Sequence, residues 1–154
     1  MNEAPFKKEQ DVLTEDVIQG IAGRLVDACR ELPIALLYLH GSCADGSPSV
    51  LSDVDVAVLL KSDVGRDPRQ VLDVMGALEQ AARVPKLDVV ILNSAGPIIA
   101  DRVVRKGKLL YSEGERTRIL FEEAAIKRAF DFAYFSKVFD EALLSQLAEG
   151  HVVD

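Results

Sequence analysis

The sequence predicts an α/β domain built on a small β-sheet, and three observations carry that prediction. Apolar residues recur at helical spacing in two stretches, Thr14 to Glu31 and Arg69 to Arg83. Apolar or alternating runs too brief for helices lie around them, at Ile34 to Leu39, Val54 to Leu60 and Leu87 to Leu92. The last long stretch, Arg116 to Leu147, holds neither proline nor glycine, as one long helix would.

Each element has its own signal. In the first helix Val17, Ile21, Leu25 and Ala28 form the apolar stripe, with Thr14 as N-cap and Pro33 as stop. IALLYL, Ile34 to Leu39, reads as a buried strand, and Gly41 to Leu51 as a loop with room for one helical turn. Val54, Val56 and Val58 alternate with Asp53, Asp55 and Ala57, the period of a strand. Lys61 to Pro68 is a polar connection. Val71, Val74, Leu78 and Ala81 mark the second helix, which Pro85 ends, and LDVVIL, Leu87 to Leu92, is a third strand. Pro97 to Arg105 makes a short helix with Gly107 as its C-cap, and Leu109 to Tyr111 a short extended piece. The 154 residues form one domain, with a core over about 14–112 and a C-terminal helical segment over about 115–148.

Composition narrows the function. A hydrophobic fraction of 49% and a charged fraction of 28% match an ordinary soluble protein. No apolar run approaches the roughly 20 residues of a membrane-spanning helix, and Met1 to Gln10 has no apolar block resembling a signal peptide. The expected location is therefore cytoplasmic. Cys29 and Cys43 have neither zinc-site nor disulfide-framework spacing and read as reduced thiols. The net charge of −7 disfavours direct nucleic-acid binding. A nucleotide carried with a divalent cation remains compatible, because the cation compensates the local charge.

Three features carry chemistry. Gly41-Ser42 follows a buried strand where the chain must turn. Glycine there allows close approach of a ligand, with the Ser42 hydroxyl and the following amides facing phosphate oxygens. After a gap of ten residues, Asp53 and Asp55 sit two apart on a strand, so both carboxylates project from one face. Two such charges repel unless a cation lies between them, and hard oxygen donors suit Mg²⁺. Asp88 stands near the start of an apolar strand, where an unpaired buried acid would be costly. Singly, each has an ordinary reading: a turn, a surface pair, a solvated strand end. Their order along the chain is more specific than any one of them.

LYLHGSCADGSPSVLSDVDVAVLL resembles the signature of the polymerase-β nucleotidyltransferase superfamily, and the short chain resembles its minimal nucleotidyltransferases. The likeness runs from about Ile34 to Tyr134. It implies a mixed sheet flanked by helices, with Asp53, Asp55 and Asp88 on adjacent strands as catalytic and metal-binding residues. It implies two Mg²⁺ ions, a nucleoside triphosphate held at Gly41, Ser42 and Ser52, and transfer of a nucleoside monophosphate to a hydroxyl. Two positions depart from the family pattern. Asp45 stands where an arginine is usual, and His40 where an aromatic or aliphatic residue is common.

The final helix bears on the partner. Phe121, Ala125, Phe132, Phe135, Phe139 and Leu143 line one side, and Ile126, Phe130, Tyr134 and Val138 another. Such a helix either packs internally on both faces or shares one with another chain. Small relatives commonly serve as antitoxins that move AMP from ATP to a tyrosine of a HEPN-domain toxin. The resemblance thus implies ATP and a HEPN toxin as partners, while the two apolar sides of the last helix leave room for a homo- or hetero-oligomer through it. The alternatives are a nucleotidyltransferase for small molecules of the aminoglycoside type and a binding antitoxin without catalysis.

Overall fold

In the computed structural model, which describes residues 14–44 and 53–150, the predicted helices and strands all form. Helix α1 spans Glu15–Glu31, capped by Thr14, whose hydroxyl accepts from the Val17 amide at 3.4 Å. Its buried face is Ile21, Leu25 and Cys29, at strict i,i+4 spacing. The stripe is therefore rotated from the expected one: Val17 is exposed and Cys29 takes the deep position given to Ala28.

Strand β1 is Ile34–His40, followed by a 3₁₀ turn at Gly41–Cys43, and β2 is Val54–Leu60. The polar connection contains a 3₁₀ turn, Val64–Arg66, with Val64 buried. Helix α2 is Pro68–Ala82. Asp67 caps its start, accepting from the Arg69 amide at 3.0 Å, and Pro68 occupies the first turn, where a missing N–H costs nothing. Arg83, in the left-handed region at φ 53°, ends the helix before Pro85 is reached. Then follow β3, Leu87–Ile91; α3, Pro97–Lys106; β4, Lys108–Ser112; and α4, Glu115–Ala148.

The sheet runs β3-β2-β1-β4 and is mixed: β1 pairs antiparallel with β2 and β4, and β2 pairs parallel with β3. Its two faces bury different sets. Leu37, Leu39, Val54, Val56, Val58 and Leu60 pack with Ile21, Leu25, Val74 and Leu78 of α1 and α2. Leu36, Tyr38 and Ala57 pack on the other side with Leu92, Val103 and Phe121. By the period of two, Asp53, Asp55 and His40 continue this second face toward the end of the sheet.

Side-chain hydrogen bonds tie the layers. Asn93 closes the far end of β2, accepting from the Leu60 amide at 2.8 Å and donating to the Leu60 carbonyl at 2.9 Å. The Arg24 guanidinium donates to the carbonyls of Ala81 and Ala82 at 3.3 and 2.8 Å, satisfying the C-terminal end of α2. The Tyr38 hydroxyl donates to Glu122 at 2.9 Å, and Arg118 holds the same carboxylate at 3.0 Å. No helix among the described residues is long and apolar enough to cross a membrane.

The last helix settles one open expectation. Its first half packs, burying Ala125 and Ala129, with Phe121 against the sheet. From Phe130 onward the side chains are exposed, on both predicted stripes alike. Internal packing of both stripes is thus not what forms. Met1 to Gln10, Asp45 and Ser52 lie outside the described residues.

Candidate active site

The site is assembled at one end of the sheet by strand register. His40 is the cross-strand partner of Asp55 in the β1–β2 pair, and Asp88 is the partner of Asp55 in the β2–β3 pair. Asp53 precedes β2 by one residue, where the Val54 amide donates to the Lys86 carbonyl at 3.3 Å. Parallel pairing brings two acidic strand starts level, so residues 33 and 35 positions apart in sequence become neighbours.

Gly41 fixes the opposite wall. Its φ of 71° lies in the left-handed region, and a Cβ added there would stand 2.5 Å from Asp55 Oδ2. Both facts demand glycine: the turn needs the left-handed backbone, and the carboxylate occupies the space of a side chain. After it Ser42 and Cys43 turn in a 3₁₀ conformation, with the Ala44 amide donating to the Gly41 carbonyl at 3.1 Å.

The electrostatics are those of crowded acids. Burial raises the Asp55 carboxyl above the ordinary aspartate value, and the charges of Asp88 and Asp53 push it the same way; His40 and Lys86 oppose them. Burial also raises the Cys43 thiol, with Asp55 adding to it and a hydrogen bond from Ser42 opposing. Cys29 is pushed up to about 12 by burial, and both cysteines are free, as the spacing suggested. His40 Nε2 is buried and finds no hydrogen-bond partner among the described residues.

Lys86 is the residue that the motif reading missed. Its ammonium lies 3.4 Å from Asp53 Oδ2 and 3.6 Å from Asp88 Oδ2, so one cation serves two of the three acids. The Asp53 hydrogen bond and the charges of both aspartates raise its pKa. The only sequence signal is a lysine two residues before Asp88 at a strand start, a position where an exposed lysine is unremarkable.

The donor set suits a hard divalent cation: Asp53, Asp55 and Asp88 offer oxygens alone, and Asp53 with Asp88 already shares one positive charge. Among the described residues, no three acidic, histidine or cysteine side chains close around an ion as they stand. The predicted triad is thus brought together by register and left open.

Residues 25–116 match the family described as Polymerase beta, Nucleotidyltransferase. The chain belongs to this nucleotidyltransferase family. It is 32% identical over 108 residues to the protein adenylyltransferase MntA of Aphanizomenon flos-aquae (strain 2012/KM1/D3), covering 62% of this chain and 72% of the relative. A crystal structure of a toxin-antitoxin with AMP-PNP contains a chain matching with TM-score 0.63 and 26% identity, over 79% of this nucleotidyltransferase and 98% of that chain. A rebuilt structure of a tri-AMPylated Shewanella oneidensis HEPN toxin in complex with MNT antitoxin gives TM-score 0.61 at 24% identity, over 82% and 98%. The fold and the likeness to the minimal nucleotidyltransferases expected from the sequence are both borne out.

Proposed function

We propose that this nucleotidyltransferase, acting as one domain in the cytoplasm, moves AMP from ATP to a tyrosine hydroxyl of a cognate HEPN toxin, with Mg²⁺, and so serves as an antitoxin. The observation that carries this reading is the level pairing of Asp55 with Asp88, beside Asp53 and against Gly41. The likeness to MntA, a protein adenylyltransferase, supplies the class of acceptor.

Asp53, Asp55 and Asp88 are the residues that would hold two Mg²⁺ ions. When bound, the metal supplies charge neutralisation at the transferring phosphoryl group and a more acidic attacking hydroxyl. The chain does the rest. Gly41 turns the backbone so that Ser42 and the amides after it face the triphosphate; a nucleotide-binding role for Ser52 rests on the family resemblance alone. Asp88, on the edge strand β3 with its side chain half-exposed, takes the proton of the incoming hydroxyl. A net charge of −7 favours encounter with a basic protein acceptor. The exposed apolar half of α4 supports docking of that acceptor, or of a second copy, along the helix.

The test is to incubate the purified protein with ATP, Mg²⁺ and the product of its neighbouring reading frame. Intact mass spectrometry should show addition of AMP to the partner, mapped to tyrosine. Asp53→Ala combined with Asp55→Ala should slow the transfer by at least about 10³-fold. An unmodified partner, or undiminished turnover in the double variant, would overturn the reading.

A further inference from the structure

Lys86 leads into β3, and its backbone is fixed at the seam between the two strands that carry the acids, since its carbonyl accepts the Val54 amide. From there the side chain reaches Asp53 and Asp88 together, at 3.4 and 3.6 Å. Among the described residues no other ion pair involves Asp53, Asp55 or Asp88. The same carboxylate oxygens are the ones a divalent cation needs. An ammonium and a doubly charged ion cannot share them, because two cations at that separation repel strongly.

We propose that Lys86 is a resident counter-cation: in the metal-free protein it holds Asp53 and Asp88, and a divalent cation binds by displacing its ammonium. The proposal rests on the Mg²⁺-dependent reading of the site. Without a cation, Asp53 and Asp88 would face each other and Asp55 across neighbouring strands. Lys86 lowers that repulsion and keeps two of the carboxylates turned toward one point. It does so weakly, because its side chain is 60% exposed and an ion pair in water is screened. A flexible four-carbon stem lets the ammonium leave without unpacking the core. The arrangement favours exchange: strong enough to organise the acids, weak enough to yield to a divalent ion.

The probe is Mn²⁺, titrated into the full-length protein and followed by the electron paramagnetic resonance of the free ion. Lys86→Met should bind Mn²⁺ roughly two- to fivefold tighter than the unsubstituted protein, the span expected from losing an exposed competing ion pair. Lys86→Gln should agree with it, and Lys86→Arg, which keeps the charge, should stay near the parent. Lys61→Met removes the same charge just past Leu60, at the end of β2 away from Asp53 and Asp55, and should change affinity by less than a factor of about 1.5, since distant surface charges are screened. Unchanged or weaker binding in Lys86→Met, or equal tightening in Lys61→Met, would overturn the proposal while leaving the metal-dependent reading intact. If no variant binds Mn²⁺, with or without ATP, that reading falls and the proposal falls with it.

Discussion

At residue scale Gly41 limits where the Asp55 carboxylate can lie, because that carboxylate occupies the space a side chain at 41 would fill. Replacing it with alanine adds two costs. The backbone would hold a left-handed conformation that costs an L-residue about 1–2 kcal/mol, and the new Cβ would stand 2.5 Å from Asp55 Oδ2. The carboxylate would have to swing away from Asp88. Gly41→Ala should therefore lower the melting temperature by roughly 2–8 °C and cut AMP transfer by at least about 10²-fold; calorimetry and the mass assay read the two effects separately. Transfer at the parent rate would show that the Asp55 position is not critical. The same residues show what a sequence can reveal. Asp53 and Asp55 share a face because strand period is two, and that is visible in any single strand. The meeting of Asp55 with Asp88 depends on parallel register, and the placing of Lys86 depends on it too. A lysine at a strand start has no pattern of its own, so its role emerges only when β2 and β3 are set side by side.

At the scale of elements, a polar contact set beside apolar packing joins β1 to α4. Tyr38 is fully buried, and its hydroxyl donates to Glu122, which Arg118 also holds. Burial, reinforced by that hydrogen bond and by the Glu122 charge, raises the Tyr38 hydroxyl above its ordinary value near 10. Tyr38→Phe leaves Glu122 paired with Arg118, so the loss should be about 1–2 kcal/mol, read by denaturant unfolding. The sign of its pH dependence follows from the raised value. The folded chain keeps the proton longer than the unfolded chain, so the contribution is complete below about pH 10 and is lost as the unfolded tyrosine ionises above it. The stability gap between parent and Tyr38→Phe should be constant from pH 7 to 9 and shrink at higher pH. A gap that widens there would contradict the assignment. Element boundaries were legible to within a residue or so, since capping residues and proline mark them locally. The faces were less so: Cys29 and Ala82, not Ala28 and Ala81, reach the deepest positions. Which residue of an apolar stripe goes deepest is decided by the sheet it meets, and a single helix does not contain that information.

At the scale of the whole molecule the unresolved tension is between a well-buried core and a helix that leaves it. Phe130, Phe135 and Phe139 are 66%, 69% and 68% exposed, and Val138, Leu143, Leu144 and Leu147 extend the same apolar surface around the helix. Such a surface marks an interaction site, since burying each of these side chains would contribute roughly 1.5–3 kcal/mol. Under the proposed function the helix is covered in the working assembly, by the acceptor protein or by a second copy. Phe135→Glu with Phe139→Glu separates this from internal packing. Both side chains already face solvent, so the melting temperature should move by no more than about 2 °C. Association should change much more: co-purification with the neighbouring gene product, or self-association in sedimentation velocity, should be lost. The two covers are distinguished in the same experiment by running the parent protein alone and then with its neighbour. A fall of many degrees in melting temperature would mean instead that the distal helix folds back and packs in the isolated protein. If the temperature holds and association with the neighbouring gene product disappears, the arm that α4 extends beyond Ala129 is the means by which the acidic site end of the sheet is brought to its acceptor.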